Sequence, residues 1–103
     1  MTYKLHVIER IRLMQVLPKE SSYSTFKILM SLKSALSFTE EEYKEFGMSE
    51  ENNMIHWRKS EEKEVEIGER ALDIIKEAFR ELDKNKKISD AIFPLYEKFM
   101  LDK

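Results

Sequence analysis

The chain has no cysteine, only two glycines and only two prolines in 103 residues, and each scarcity removes a class of protein. Without cysteine there is no disulfide, no thiolate metal site and no thiol nucleophile, which agrees with a reducing compartment such as the cytoplasm. So few glycines and prolines leave little turn chemistry for a sandwich of many short strands and favour tightly connected helices. No run of 18 consecutive apolar residues occurs, so no membrane-spanning helix is expected, and Lys4, His6, Glu9 and Arg10 interrupt the N-terminus before a signal peptide's apolar stretch could form. An excess of either charge is missing too: Lys+Arg 18 against Asp+Glu 20 leave a net charge of -2, giving no global attraction for nucleic acid or an anionic membrane.

The motifs of common catalysts are also absent. There is no Gly-rich phosphate loop, nucleophile elbow or dinucleotide fingerprint. The acidic runs at 40–42 and 61–69 stand beside Lys and Arg, which reads as solvated surface rather than as a sheltered acid–base pair. His6 and His56 fall in different elements and form no local metal pair. The expectation is a non-enzymatic chain with no cofactor and no metal.

What is present is helical periodicity. Val7, Ile8, Ile11, Met14 and Leu17 predict a helix over 5–17, with Glu9, Arg10, Arg12 and Gln15 on its other side and Pro18 ending it. A second helix over 23–36 carries Phe26, Leu29, Met30, Leu32 and Leu36. Ile28, Leu32 and Ala35 widen its apolar arc, so this helix is central or meets a second subunit. Thr39 and Glu42 form a capping box, Phe38 can staple onto Tyr43, and Gly47 can close a helix over 40–46 in the left-handed conformation. After Gly68, a helix over 69–83 presents Ala71, Leu72, Ile75, Phe79 and Leu82 on one face. The basic turn at 84–87 suits the negative end of its dipole. A last helix beginning at Pro94 carries Leu95, Tyr96, Phe99 and Met100.

Between residues 54 and 67 the period changes to two. Ile55 and Trp57 in one arm and Val65 and Ile67 in the other predict a β-hairpin. Pairing Trp57 with Val65 and Ile55 with Ile67 sets Arg58 opposite Glu64 and His56 opposite Glu66, an outward polar cluster above an apolar face. The turn Ser60-Glu61-Glu62 lacks a Gly or Asn for the left-handed position, and the alternative is an early helix start near Ser60. The expected fold is mainly α, a compact bundle of about five helices with one small β-hairpin, forming a single domain over 1–103. A chain of this size buries about two thirds of its unfolded surface.

Three features bear on function. Residues 79–89 resemble the start of an EF-hand loop, with Asp83 and Asn85 at the first and third ligand positions. Lys87, Ile88 and Pro94 at the fifth, sixth and twelfth break the oxygen cage, so a helix-to-helix turn is expected. Trp57, Tyr43 and Phe46 with Arg58, Lys59 and the basic turn Lys84, Lys86 and Lys87 offer stacking and phosphate pairing, the chemistry of nucleotide or nucleic-acid binding. Glu61, Glu62, Glu64 and Glu66 mix the field around them. The apolar excess at Ile28 and Leu32, together with an unpaired hairpin edge and the cluster His56, Trp57, Arg58, Glu64 and Glu66, points instead to a non-catalytic interaction module that self-associates.

Four phrases occur in order: Val-Ile-Glu-Arg-Ile-Arg-Leu-Met-Gln-Val-Leu-Pro-Lys-Glu at 7–20, Leu-Ser-Phe-Thr-Glu-Glu-Glu at 36–42, Glu-Ile-Gly-Glu at 66–69 and Leu-Tyr-Glu-Lys-Phe at 95–99. Together they resemble small uncharacterised proteins of bacteriophages and prophages. The resemblance implies a setting, the host cytoplasm, and a mode of action, binding a host or phage protein, in some cases to block a defence system. It implies no catalytic or binding residue.

Overall fold

Apolar residues at helical spacing do form helices in the computed structural model, which describes residues 2–101. In chain order the elements are β1 (Thr2–Leu5), α1 (Val7–Val16), α2 (Tyr23–Leu36), α3 (Glu40–Phe46), β2 (Ser49–Glu51), β3 (Met54–His56), β4 (Lys63–Glu66), α4 (Glu69–Lys84) and α5 (Phe93–Met100). The protein is mainly helical, as expected, with two small antiparallel sheets rather than one hairpin.

Local signals set the helix ends. Ser22 caps α2 by accepting from the Thr25 N–H. The Thr39 hydroxyl accepts from the Glu42 N–H at 3.1 Å while Glu42 accepts from the Thr39 N–H at 3.0 Å, which completes the capping box of α3. The Phe38 and Tyr43 rings meet edge-on at 6.3 Å as the staple. Gly47 then ends α3 at φ 62, where a side chain is disfavoured. Pro94 lies in the first turn of α5, where its missing N–H leaves no bond unmade.

The strands correct the sequence reading. The helix predicted from residue 5 starts at Val7, because Thr2–Leu5 alternates exposed and buried residues and forms a strand. β4 pairs with this strand and not with residues 55–57: Tyr3 stands opposite Val65, Lys4 opposite Glu64 and Thr2 opposite Glu66. That register puts Tyr3, Leu5 and Val65 inward and sets opposite charges across the outer face. Residues 60–62 have no left-handed residue to close a tight loop between 57 and 63, whereas Asn52 and Asn53 take φ 52 and φ 64 and close β2 onto β3. The predicted pairings of Trp57 with Val65 and Ile55 with Ile67 are therefore not made.

The core lies between the β1–β4 sheet and the helices. Tyr3, Leu5, Val65 and Ile67 meet Leu13 of α1, Leu29, Leu32 and Leu36 of α2, Leu72, Ile75 and Phe79 of α4, and Leu95 and Phe99 of α5. Phe99 is the aromatic hub: its ring lies 4.5 Å from Tyr3 and 6.1 Å from Phe79. Polar ties from α1 reach the C-terminal segment. Arg12 donates to the Ala91 carbonyl at 3.0 Å, and Lys98 pairs with Glu9 at 2.9 Å while donating to the Lys4 carbonyl at 2.7 Å.

Arg10, assigned to the polar side of α1 by its chemistry, is fully buried at 0% exposure. Burying a guanidinium is costly unless its donors are satisfied, and here they are. Nη1 and Nη2 make a bidentate pair with Glu42 at 2.7 and 3.2 Å, Nε donates to the Leu36 carbonyl at 3.1 Å, and Nη2 also donates to the Ser37 carbonyl. The Phe38 ring covers the guanidinium, with Cζ 3.9 Å from the ring centroid. Lys63 Nζ, at the start of β4, approaches the same carboxylate at 3.7 Å.

The hydrogen bonds from Arg10 hold the Glu42 carboxyl at a pKa of about 2, below its ordinary 4.5, against the opposing effect of burial and with help from the Thr39 N–H. A depressed folded-state pKa contributes stability that is fully present above pH 4.5 and is lost as the pH falls toward 2. Glu42→Gln is expected to cost about 3 kcal/mol in denaturant unfolding at neutral pH, because it leaves Arg10 buried and uncompensated. Its stability is also expected to fall less steeply than the parent's in that acid range.

Candidate functional site

A groove runs along the seam between α2 and α4. Leu72, Ile75 and Phe79 turn α4's apolar face into the core, while Ala71, Ile74, Ala78 and Leu82 flank it half-buried. Small side chains on the facing flanks, Ser31 and Ala35 on α2 and Ala71 and Ala78 on α4, leave space that larger ones would fill. One concavity of about 440 Å³ is lined by Ile28, Leu32, Ala35, Ile67, Gly68 and Ala71 among others. Another of about 500 Å³ is lined by Pro18, Thr25, Ile74, Ala78 and Glu81 among others. A smaller hollow shares Ile28 and Arg70 with the first and Thr25, Asp73 and Ile74 with the second, so the three form one channel with an apolar floor. Below Glu81 it continues to Val16, Leu82 and Lys87. The sixteen residues of α4 give this wall a length of about 24 Å.

The two walls differ in charge. α2 and the loop before it contribute the hydroxyls of Ser21, Ser24, Thr25 and Ser31. α4 contributes Glu69, Asp73, Glu77 and Glu81, four residues apart and hence on one ridge of the helix, with Arg70 beside Glu69 as a cation on the same wall. Glu77 pairs with Arg80 at 3.0 Å and Glu81 accepts from the Asn85 side chain at 3.4 Å.

Of the residues singled out from sequence, Ile28 is half-buried in the groove, and Leu32 reaches it only as part of the core, at 4% exposure. Leu32 is thus a packing residue and not an outer-face contact. The cluster His56, Trp57, Arg58, Glu64 and Glu66 does not assemble as the hairpin register required. His56 stands opposite Ser49, Glu64 opposite Lys4 and Glu66 opposite Thr2. The Thr2 hydroxyl donates to Glu66 and holds its carboxyl below the ordinary range. Trp57 is half-buried.

Arg58 and Lys59 are held by their backbone instead: both N–H groups donate to the Phe46 carbonyl, at 2.7 and 3.1 Å. The Arg58 side chain lies across Gly47, where a Cβ would come within 3.2 Å of it. Lys59 pairs with Glu61 at 3.0 Å and with Glu45 at 3.8 Å, and the Glu61 hydrogen bond raises its pKa. Lys84, Lys86 and Lys87 lie at the far end of α4, where Lys86 takes φ 57 and the Lys87 N–H closes on the Leu82 carbonyl. This is the helix-ending turn expected in place of a calcium loop. No hydrogen bond or ion pair recorded among the described residues joins the two basic segments. The β2–β3 arm is exposed along its length, with Met54 at 62% and Ile55 at 37%.

No protein-family model, curated protein or solved structure matches this chain. The chemistry of the site is accordingly read from its own residues. Among the described residues no group of three or more His, Asp or Glu could hold a metal ion, and no helix is long and apolar enough to cross a membrane.

Sequence reasoning flagged Ile28 but missed the α4 ridge. The signal was available: Glu69, Asp73, Glu77 and Glu81 recur every fourth residue beside the apolar positions 71, 74 and 78.

Proposed function

We propose that the chain is a non-catalytic protein-interaction module that receives a partner along the α2–α4 groove. The observation that carries this reading is a solvent-open channel that follows α4 for about 24 Å, with an apolar floor at its middle formed by Ile28, Ala71, Ile74 and Ala78. A channel this long and shallow suits a segment of polypeptide better than a small molecule, whose sites are compact and enclosing. The setting implied by the phage and prophage resemblance, an accessory protein that binds a host or phage protein, belongs to the same proposal.

Self-association is its second part. Tyr23 and Met30 are 83% and 54% exposed and lie seven residues apart, on one side of α2. Large apolar side chains left in water at that spacing favour contact with a second copy.

Two expected outcomes follow from the different burial of neighbours on α2. Ile28→Lys should keep the circular dichroism of the parent and abolish partner binding, whereas Leu32→Ala should cost about 2–5 kcal/mol of folding stability. Unfolding by Ile28→Lys would place that residue in the core and remove the groove's floor as a contact. In light scattering at high micromolar concentration, the parent should exceed the monomer mass and a Tyr23→Lys, Met30→Lys double variant should not. A strictly monomeric parent contradicts self-association.

A further inference from the structure

We infer that the occupant of the α2–α4 groove is a basic amphipathic helix of a partner protein; this rests on the interaction-module reading above. The α4 charges that line the groove are four acids and one cation, Arg70. The ridge Glu69, Asp73, Glu77 and Glu81 lines the groove, while Lys76, Arg80 and Lys84, also four residues apart, do not line it. Like charges at i and i+4 repel and weaken a helix. Among the described residues no side-chain hydrogen bond or ion pair is made by Asp73, at the middle of the ridge. The arrangement is offset when cations from outside lie along that lip.

The remaining features fix the shape of the occupant. The wall formed by α4 is 16 residues long, and the floor beside its middle offers apolar contacts at Ile28, Ile74 and Ala78. The opposite wall is uncharged and hydroxyl-bearing, so it tolerates either polar or small side chains. Both long walls are helices whose backbone groups are used internally, so recognition is through side chains rather than by adding a strand. A helix with apolar residues at i, i+3 or i+4, i+7 and i+11, and Lys or Arg on the flank facing α4, satisfies all of these.

A second copy is a poorer occupant. Two grooves brought face to face would set one acidic ridge against another. Self-association through Tyr23 and Met30 uses a different side of α2. An anionic membrane surface is likewise repelled by the ridge.

The test uses the full chain, isotope-labelled, and three synthetic 16-residue helical peptides that share one Leu stripe and carry Lys, Gln or Glu on the flanks. The Lys peptide is expected to shift the amide resonances of Thr25, Ile28, Asp73, Ile74 and Ala78. Its affinity should fall about tenfold in an Asp73→Lys, Glu81→Lys variant. It should be unchanged in a control carrying Glu50→Lys and Glu51→Lys on the exposed β2 strand. Equal weakening by both pairs of substitutions would mean attraction to net charge alone and overturns the inference. Groove binding of the Gln or Glu peptide as tight as that of the Lys peptide overturns it while leaving the interaction module standing. If none of the three peptides moves the groove amides, both readings fall.

Discussion

The bidentate pair between Arg10 and Glu42 is the constraint on which the arrangement of helices depends. Arg10 projects from α1 into the interior and spends its donors on the last carbonyls of α2 and on a carboxylate of α3. The end of α2 supplies the negative pole of its dipole and Glu42 supplies a full charge. Three helices are thereby joined at one atom cluster, and Lys63 brings β4 to the same carboxylate. A buried pair of this kind adds little net stability compared with a well-packed apolar substitute, but each partner depends on the other, so the geometry has few alternatives. Its effect is to fix where α2 ends and how α3 leaves it.

That fixing bears on the groove. α2 is held at its C-terminal end by Arg10, and along its length by Leu29, Leu32 and Leu36, which share one core cluster with Ile75 and Phe79 of α4. What remains between the two helices is set by the smaller flanking residues, Ser31, Ala35, Ala71 and Ala78, and so a channel persists beside a tightly filled core. In the proposed function, the acidic ridge on its lip and the hydroxyls on its other wall decide which segments are attracted. Structure and proposed function meet on α4, whose buried face builds the core and whose charged lip selects the partner.

Much of the local structure was legible in the sequence because its causes are local. The extents of α2 and α3, the Thr39–Glu42 box, the Phe38–Tyr43 staple and the left-handed Gly47 all depend on residues within a few positions of one another. The sheet was not legible, since β1 meets β4 some sixty residues later and each strand is only four residues long. The β2–β3 hairpin closed by Asn52 and Asn53 was missed as well, because its strands bury no apolar face and so show no alternation. Arg10 defeats reading by hydropathy altogether. It falls in helical phase with Val7 and Leu13, the buried face of α1, and only Glu42 explains why a charge stands there. The groove lay between these cases: Ile28 marked one wall, while the other required seeing that charges four residues apart share a ridge.

The claim that Arg10 is locked in place is tested most directly by the nitrogen and proton resonances of its guanidinium group. An arginine held by two carbonyls and a bidentate carboxylate is expected to show separate, slowly exchanging Nη protons with hindered rotation about Cζ–Nε. The same signals should be averaged for an exposed arginine such as Arg70. Averaged, rapidly exchanging Arg10 signals at neutral pH would contradict the account, because the helices would then be organised without that pair.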